Sequence, residues 1–240
     1  MASEPTAETY IPDQVADAPL HGNRGARVAA PGQLPLALTI AVSREAGARG
    51  GTIARRAARK LGWQAYNQEL LEYIAQEGAL RDNLFASLPP DAGAWSEQQL
   101  QQLLAEQRCS RDPGVVNLAR TILAVGTQGE VVMLGRGAGC VLPRASTLHV
   151  RIMAPLTDRI AYMAQWLRLT TDEAAEQVRL RDDNRAQFIQ THFQRHVGDI
   201  YQFDLLLNSS LLGEDLCVDL IVQAARAKQA GRVVAVPHSE

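Results

Sequence analysis

The chain has 240 residues, 46% of them hydrophobic and 21% charged, with a formal net charge of −2. This length and composition allow one sizeable core, and the balanced charge argues against bulk attraction to nucleic-acid polymers or membranes. Three widely spaced cysteines in no metal-ligand spacing indicate reduced thiols. Because no apolar run approaches the ~20 residues of a membrane span, and the first residues lack a secretory pattern, the sequence predicts a cytoplasmic protein.

Strand-like and helix-like patterns alternate along most of the chain. Residues 1–34 are rich in proline, glycine, alanine and charge, which predicts a disordered leader, and residues 231–240 are predicted to be a loose tail. The segment between them, 35–230, is predicted to form one α/β domain, because strands separated by helices build a parallel sheet that is covered on both faces. Ligands of such sheets bind beyond the carboxyl ends of the strands.

The elements follow from local patterns taken in chain order. Ser96 with Gln99 has the pattern of a capping box that opens a helix over 97–108, and Thr170 with Glu173 has the same pattern before a helix over 171–192. Prolines and a glycine within 81–94 predict a loop. Apolar runs predict strands at 36–42, 63–66, 130–134, 148–153 and 203–208, and helical periodicity predicts further helices ending at 61 and spanning 68–76, 113–126, 157–168 and 215–228.

A glycine-bearing loop follows the first strand and precedes the first helix. This layout surrounds a phosphate with unpaired backbone N–H groups at the positive end of a helix dipole. The loop carries positive charge on Arg44 and Arg49, and the Thr52 hydroxyl could bind phosphate or Mg²⁺. The lysine that such loops normally carry is absent, however. The alternative is a tight turn with solvated arginines.

Two further arginine motifs are candidates for anion binding. Arg136 lies between glycines directly after a buried strand, where it is expected to clamp a phosphate or carboxylate; the alternative is an exposed turn residue. Arg181 and Arg185 are four residues apart on one predicted helix face and could neutralise charge during phosphoryl transfer. A solvent-facing, salt-bridged helix is the alternative. His192 and His196 have a metal-pair spacing without a third ligand fixed nearby, which leaves a metal site undefined.

These segments together resemble the cytidylate kinase-like family, which is related to the nucleoside monophosphate kinases. The likeness covers about residues 38–228, with its motifs in the same order. The passages that carry it are Ser43-Arg44-Glu45 with Gly47, Gly50 and Gly51; Ile53-Ala54; Lys60-Leu61-Gly62; Tyr66 with Glu69-Leu70; Leu134-Gly135-Arg136-Gly137; Ala154-Pro155-Leu156 with Asp158-Arg159; Asp183 with Arg185; and Phe203-Asp204-Leu205 with Leu207-Asn208-Ser209.

The resemblance implies an α/β, P-loop NTPase-like three-layer sandwich with a parallel central sheet. It also implies a substrate-binding insert at about 66–112 and a helical lid at about 168–198. The implied reaction transfers the terminal phosphoryl group of ATP, with Mg²⁺, to a nucleoside monophosphate, CMP or dCMP by default. The implied roles are nucleotide binding for Arg44, Gly47, Ala48, Arg49, Gly50, Gly51 and Thr52, catalysis for Arg49, Arg181 and Arg185, and substrate binding for Arg136 and Asp183.

The chain departs from well-characterised cytidylate kinases at charged positions. Gly50 replaces the loop lysine, Leu134 and Gly137 replace two acids around Gly-Arg, and Asn67 replaces an aspartate after the second strand. Losing one preorganised charge can cost about a hundredfold in rate. An alternative function is therefore a catalytically weak or inactive nucleotide-binding regulatory protein of the same fold. A purely structural interaction domain would require the arginines to lie apart.

Overall fold

The computed structural model describes residues 37–234, with side chains up to residue 231, so the predicted leader and the end of the predicted tail lie outside the described residues. Five strands form one sheet in the order β2-β3-β1-β4-β5, and every neighbouring pair is parallel. The predicted parallel α/β architecture is confirmed. The strands are β1 (Thr39–Arg44), β2 (Gln64–Tyr66), β3 (Val131–Leu134), β4 (Thr147–Met153) and β5 (Leu205–Asn208).

Helices cover both faces of the sheet. They are α1 (Gly50–Leu61), α2 (Gln68–Gln76), α3 (Gly78–Ala86), α4 (Pro90–Ala105), α5 (Pro113–Gln128), α6 (Ala138–Val141), α7 (Leu156–Leu167), α8 (Thr171–Phe193) and α9 (Ser209–Val234), with 3₁₀ turns at Arg144–Ser146 and Ile200–Gln202. None of these helices is long and apolar enough to cross a membrane.

The core has two parts because successive side chains of a strand point to opposite faces. Ile40 and Val42 of β1 pack with α1 and α9, whereas Ala41 packs with α2, α4 and α5. The result is three layers. A separate small cluster joins α7 to α8 around Met163 and Val178.

Local signals set most helix boundaries. Gly62 has φ 72° and ends α1, where a left-handed residue closes the last turn without a Cβ penalty. The predicted capping box of Thr170 and Glu173 is present at the start of α8, with both reciprocal hydrogen bonds formed. Helix α5 begins with a simple cap: the Asp112 side chain accepts from the Val115 N–H, and Pro113 stands at the first helical position, where no backbone donor is needed.

The insert after β2 differs from the prediction. The predicted loop over 81–94 is wrong, because α3 ends at Ala86 and α4 already begins at Pro90. Proline is favoured at the first helical position, so Pro90 marks a start rather than a break. The predicted helix start at Ser96 is wrong too: Ser96 lies inside α4 and donates to the Ala92 carbonyl. At the other end of the chain, α9 continues to Val234, into the segment that was predicted to be loose.

A buried histidine in β4 makes the stability depend on pH. His149 is 3% exposed, and burial lowers its pKa from 6.5 to about 4, with Asp204 opposing the shift. Between these two pH values the His149 of the unfolded chain binds a proton that the folded chain does not. The contribution of His149 to stability is therefore fully present above about pH 6.5 and is lost as the pH falls toward 4. We expect His149 to account for about 2 kcal/mol of the loss in unfolding free energy from pH 7 to 4.5.

Urea denaturation at pH 7 and 4.5 tests this expectation. The His149→Gln variant should lose less stability on acidification than the wild type does. The control variant His196→Gln, which changes an exposed histidine, should lose as much stability as the wild type. An unchanged pH dependence in His149→Gln would contradict a neutral, buried imidazole.

Candidate functional site

The predicted glycine loop and the Gly-Arg-Gly motif meet at one edge of the sheet. Val42 of β1 pairs with Leu134 of β3, and the Gly135 N–H donates to the Val42 carbonyl at 3.0 Å. The loop after β1 and the turn after β3 are therefore neighbours beyond the carboxyl ends of these strands. Ligands of open α/β sheets bind at this edge.

The start of α1 offers unpaired donors. Arg49 is the N-cap residue with φ 59°, and the first bond of the helix runs from the Ile53 N–H to the Arg49 carbonyl. Among the described residues, the N–H groups of Gly50, Gly51 and Thr52 have no acceptor, and the Thr52 hydroxyl has no partner. Such an end of a twelve-residue helix is suited to a phosphate group.

Arg44 fills the space that a side chain at position 50 would need. A Cβ added to Gly50 would lie 2.5 Å from the Arg44 Cβ and 3.0 Å from its Cγ. The guanidinium of Arg44 runs on across the edge, where Nη2 donates to Gln68 Oε1 at 3.3 Å and Nη1 would clash with a Cβ on Gly135. The stem of Arg44 therefore occupies the space that a lysine at position 50 would need, whereas the glycine at 135 is favoured by its own φ of 81°.

Arg136 is held at the same edge in a left-handed backbone conformation, with φ 50°. Its Nε lies 2.6 Å from Glu72 Oε1, although the N–H is not aligned for a directed hydrogen bond, so the contact is one of charge. Its guanidinium stacks over the Phe188 ring at 5.1 Å. Arg136 thus belongs to a partly buried cleft between α2 and α8.

The third arginine comes from α8. Arg185 pairs with Asp182 Oδ1 at 3.3 Å, and the same carboxylate accepts from the Ala46 N–H at 2.7 Å. Asp182 also forms an ion pair with Arg159 at 2.5 Å, and Arg159 donates to the Ala46 carbonyl. The helix predicted to be a lid is therefore fastened directly onto the glycine loop.

Arg44, Arg136 and Arg185 form a cluster that we call the rim arginines. The pKa of Arg44 is lowered to about 10, first by burial and then by the nearby charges of Arg185 and Arg136, with Glu69 opposing the shift. Burial likewise lowers the pKa of Arg185, where Asp182 opposes the shift and Arg181 and Arg136 add to it. The rim arginines therefore concentrate positive charge that an anion would neutralise.

Three other predicted residues are not rim arginines, and two of them have partners outside that cluster. Arg49 stacks over the Tyr162 ring at 5.0 Å and faces Glu214 at 4.0 Å. Asp183 is exposed and pairs with Arg179 at 3.3 Å. Arg181 is partly buried, one helical turn before Arg185. The catalytic role of Arg49 and the substrate-binding role of Asp183 stay predictions that these contacts do not support.

The other departures from the kinase pattern have local causes. A Cβ on Gly137, which has φ 73°, would meet the Phe193 ring of α8, so an acid cannot replace this glycine without moving the ring. Leu134 packs in the core, with its side chain 3.7 Å from the position of a Cβ on Gly51. Asn67 caps α2 by accepting from the Leu70 N–H at 2.8 Å.

Sequence reasoning assigned no role in the site to three of its residues. Asp182 lies three residues before Arg185 on one helix face, a spacing that could have indicated the pair. Arg159 and Phe193 act through contacts between distant segments, and no local pattern reports such contacts. The two histidines of the proposed metal spacing do not share a helix: His192 bonds to the Ser110 hydroxyl, while His196 follows the end of α8 and accepts from the Gly198 N–H.

A five-stranded parallel sheet in this order, with a glycine loop after its central strand β1, defines a P-loop kinase type of fold. The sequence profile of the cytidylate kinase-like family matches residues 39–211. The chain belongs to the cytidylate kinase-like family, and the predicted resemblance is confirmed.

Two individual proteins with similar sequences carry different names. The cytidylate kinase of Ignicoccus hospitalis is 22% identical over 183 residues, which are 76% of this chain and 95% of that protein. A uronate isomerase of Corynebacterium glutamicum is 32% identical over 122 residues, half of this chain but only 23% of that protein's length. A crystal structure of an uncharacterized protein from Eubacterium ventriosum superposes with TM-score 0.56 at 18% identity, covering 79% of this chain and 98% of that one. That likeness concerns the fold alone.

Proposed function

We propose that the chain transfers the γ-phosphoryl group of ATP to the phosphate of a nucleoside monophosphate, with CMP or dCMP as the default acceptor. The observation that carries this proposal is the convergence of Arg44, Arg136 and Arg185 beside the unpaired amides of α1. Phosphoryl transfer needs positioning and charge neutralisation more than covalent chemistry from the protein, and this edge offers both.

The donor phosphates are assigned to the loop from Gly47 to Thr52. The N–H groups of Gly50 and Gly51 would bind phosphate oxygens, and Arg44 would supply the charge that a lysine gives elsewhere. Its guanidinium presents a fork of donors, so it orients a phosphate as well as attracting it.

A magnesium ion also fits this edge. Among the described residues no group of three metal-ligating side chains exists, but Mg²⁺ commonly keeps several waters and binds through substrate phosphates with one or two protein oxygens. The Thr52 hydroxyl, third in α1 and without a partner among the described groups, is such an oxygen. When bound, Mg²⁺ would shield the charge of the transferred phosphoryl group.

The acceptor phosphate is assigned to Arg136 and Arg185. Both guanidiniums are held by single carboxylates, Glu72 and Asp182, and stay partly exposed at 25% and 30%. A phosphate dianion would compete with these carboxylates for the guanidinium donors. Arg136 and Arg185 would then fix the attacking oxygen in line with the donor and hold developing charge.

A nucleotide screen tests this assignment. Purified protein with ATP and Mg²⁺ is expected to convert at least one of CMP, dCMP, UMP and AMP to its diphosphate, measured by chromatography of the products. Glucuronate and galacturonate belong in the acceptor panel, because one relative is a uronate isomerase. Absence of any phosphorylated product above a protein-free control would contradict the kinase proposal.

The second candidate is a nucleotide-binding regulatory protein with little turnover. Two contacts favour it: Asp182 already occupies the Ala46 N–H, and Arg136 already has Glu72 as its partner. Under this alternative, ATP raises the melting temperature by mass action without product formation. A thermal shift together with product selects the kinase, and a shift without product selects the regulator.

A further inference from the structure

A second basic cavity lies on the flank of the sheet, away from the rim arginines. It has a volume of about 300 Å³ and is bounded by α4, α6, β4 and the segment that follows α8. None of its lining residues belongs to the rim arginines or to the glycine loop. We call it the flank cavity.

The flank cavity is positively charged. Arg108, Arg144 and Arg195 line it, and its lining contains no aspartate or glutamate. Among the described residues Arg195 has neither an ion pair nor a hydrogen bond, although it is partly buried. In a chain of net charge −2, three arginines facing one small volume form a local positive field that attracts anions.

The other two arginines are each tied on one side. Arg108 pairs with Glu106 at 3.1 Å, whereas Arg144 faces Asp204 at 3.6 Å and donates to the Tyr201 carbonyl at 3.1 Å. A guanidinium has five donors, so these contacts orient each side chain and leave donors for a ligand. The three arginines therefore act as a partly organised anion clamp.

Polar and apolar side chains share the remaining walls. Gln99, Gln102 and Gln202 line the cavity together with Leu103, Val141 and Leu142. The His149 ring also lines it, and its Nε2 is fully buried without a partner among the described groups. A ligand carrying hydroxyl groups would suit the glutamine amides.

Two contacts hold the walls together. The Ser110 N–H donates to the His192 carbonyl at 2.7 Å, and the Ser110 hydroxyl bonds to His192 Nδ1 at 3.0 Å. These bonds fasten the end of α8, just before Arg195, to the segment that carries Arg108. The cavity is thus preorganised, which lowers the ordering cost of binding.

We propose that the flank cavity binds a small phosphate monoester with hydroxyl groups, in the size class of a sugar phosphate. Arginine forks match the oxygens of a phosphate, and the glutamines match hydroxyl groups. The volume of about 300 Å³ is at the lower end of the range of small-molecule sites and suits a sugar of five or six carbons.

Isothermal titration with ribose 5-phosphate tests this site, with unphosphorylated ribose as the matched probe and ADP present to occupy the rim. We expect one equivalent of ribose 5-phosphate to bind and ribose to give no heat. The double variant Arg144→Gln/Arg195→Gln should bind at least tenfold more weakly, whereas Arg136→Gln should bind as the wild type does. Each variant is first checked for an unchanged circular dichroism spectrum and cooperative melting.

This titration separates the flank-cavity proposal from the kinase proposal, because it measures binding and does not depend on turnover. Absence of heat with ribose 5-phosphate, or loss of binding in Arg136→Gln but not in Arg144→Gln/Arg195→Gln, overturns the flank site. If the double variant does not fold, Arg195→Gln alone replaces it, since Arg195 has no partner among the described side chains to lose, and unchanged affinity in that variant counts against the proposal.

Discussion

Replacing Arg44 by methionine is expected to lower kcat for phosphoryl transfer at least a hundredfold while the protein stays folded. Removing one preorganised donor that stabilises transition-state charge costs about 3–4 kcal/mol, which corresponds to this range of rates. Methionine keeps much of the volume of the arginine stem, so the packing of its Cβ and Cγ beside Gly50 survives. The guanidinium is lost, with its charge, its position beside Gly135 and its hydrogen bond to Gln68.

The stability of the same variant separates binding from folding. Burial and two neighbouring cations lower the pKa of Arg44, so its charge is held at a cost in the free protein. Replacing a buried charge by an apolar side chain of similar volume is often neutral or stabilising, here by about 1 kcal/mol. Urea unfolding should therefore show Arg44→Met to be as stable as the wild type or more so.

Arg59→Met is the matched control, since it removes an exposed arginine near the far end of α1. Its kcat and its response to ATP should equal those of the wild type. If Arg44→Met has the wild-type kcat under the same conditions, catalysis does not need the Arg44 guanidinium, and Arg44 does not replace the missing lysine.

Most of the fold could be predicted from the sequence because its signals are local. β3 is an uninterrupted apolar run, and α8 begins with a capping box that needs only two residues to recognise. The insert was mispredicted since Pro89 and Pro90 indicate a loop when they are read one by one. In the structure Pro90 occupies the first position of α4, where it is favoured.

The part of the site that could be predicted is the part whose motifs lie at the carboxyl ends of strands in one sheet. Arg44 is the last residue of β1 and Arg136 follows β3, and parallel strands bring their carboxyl ends together. The direction of a side chain is a tertiary property that spacing does not report: Arg49 stacks over Tyr162, and Asp183 pairs with Arg179. The proposed replacement of the lysine by Arg44 likewise depends on a distance between β1 and α1 that no spacing encodes.

Restoring the lysine provides the sharpest test of that replacement. Gly50→Lys places a Cβ at 2.5 Å from the Arg44 Cβ, a distance at which one of the two must shift. Overpacking of this kind typically costs 1–3 kcal/mol, and we expect a loss of about 2 kcal/mol in unfolding free energy. Gly51→Lys is the control: its Cβ would meet no atom closer than 3.7 Å, so its cost should be much smaller.

Combining the two changes should reverse the loss. In Arg44→Gly/Gly50→Lys the Cβ at position 44 is gone, so the clash is removed, and a cation returns to the start of α1, where its charge can reach the phosphates. We expect a coupling free energy of about 1–3 kcal/mol between positions 44 and 50 in urea unfolding, and ATP binding closer to wild type than in Arg44→Gly alone. Additive effects on stability would mean that the two side chains do not compete for one space. Arg44 would then be a neighbour of the missing lysine, and the source of the compensating charge would have to be sought in another rim arginine.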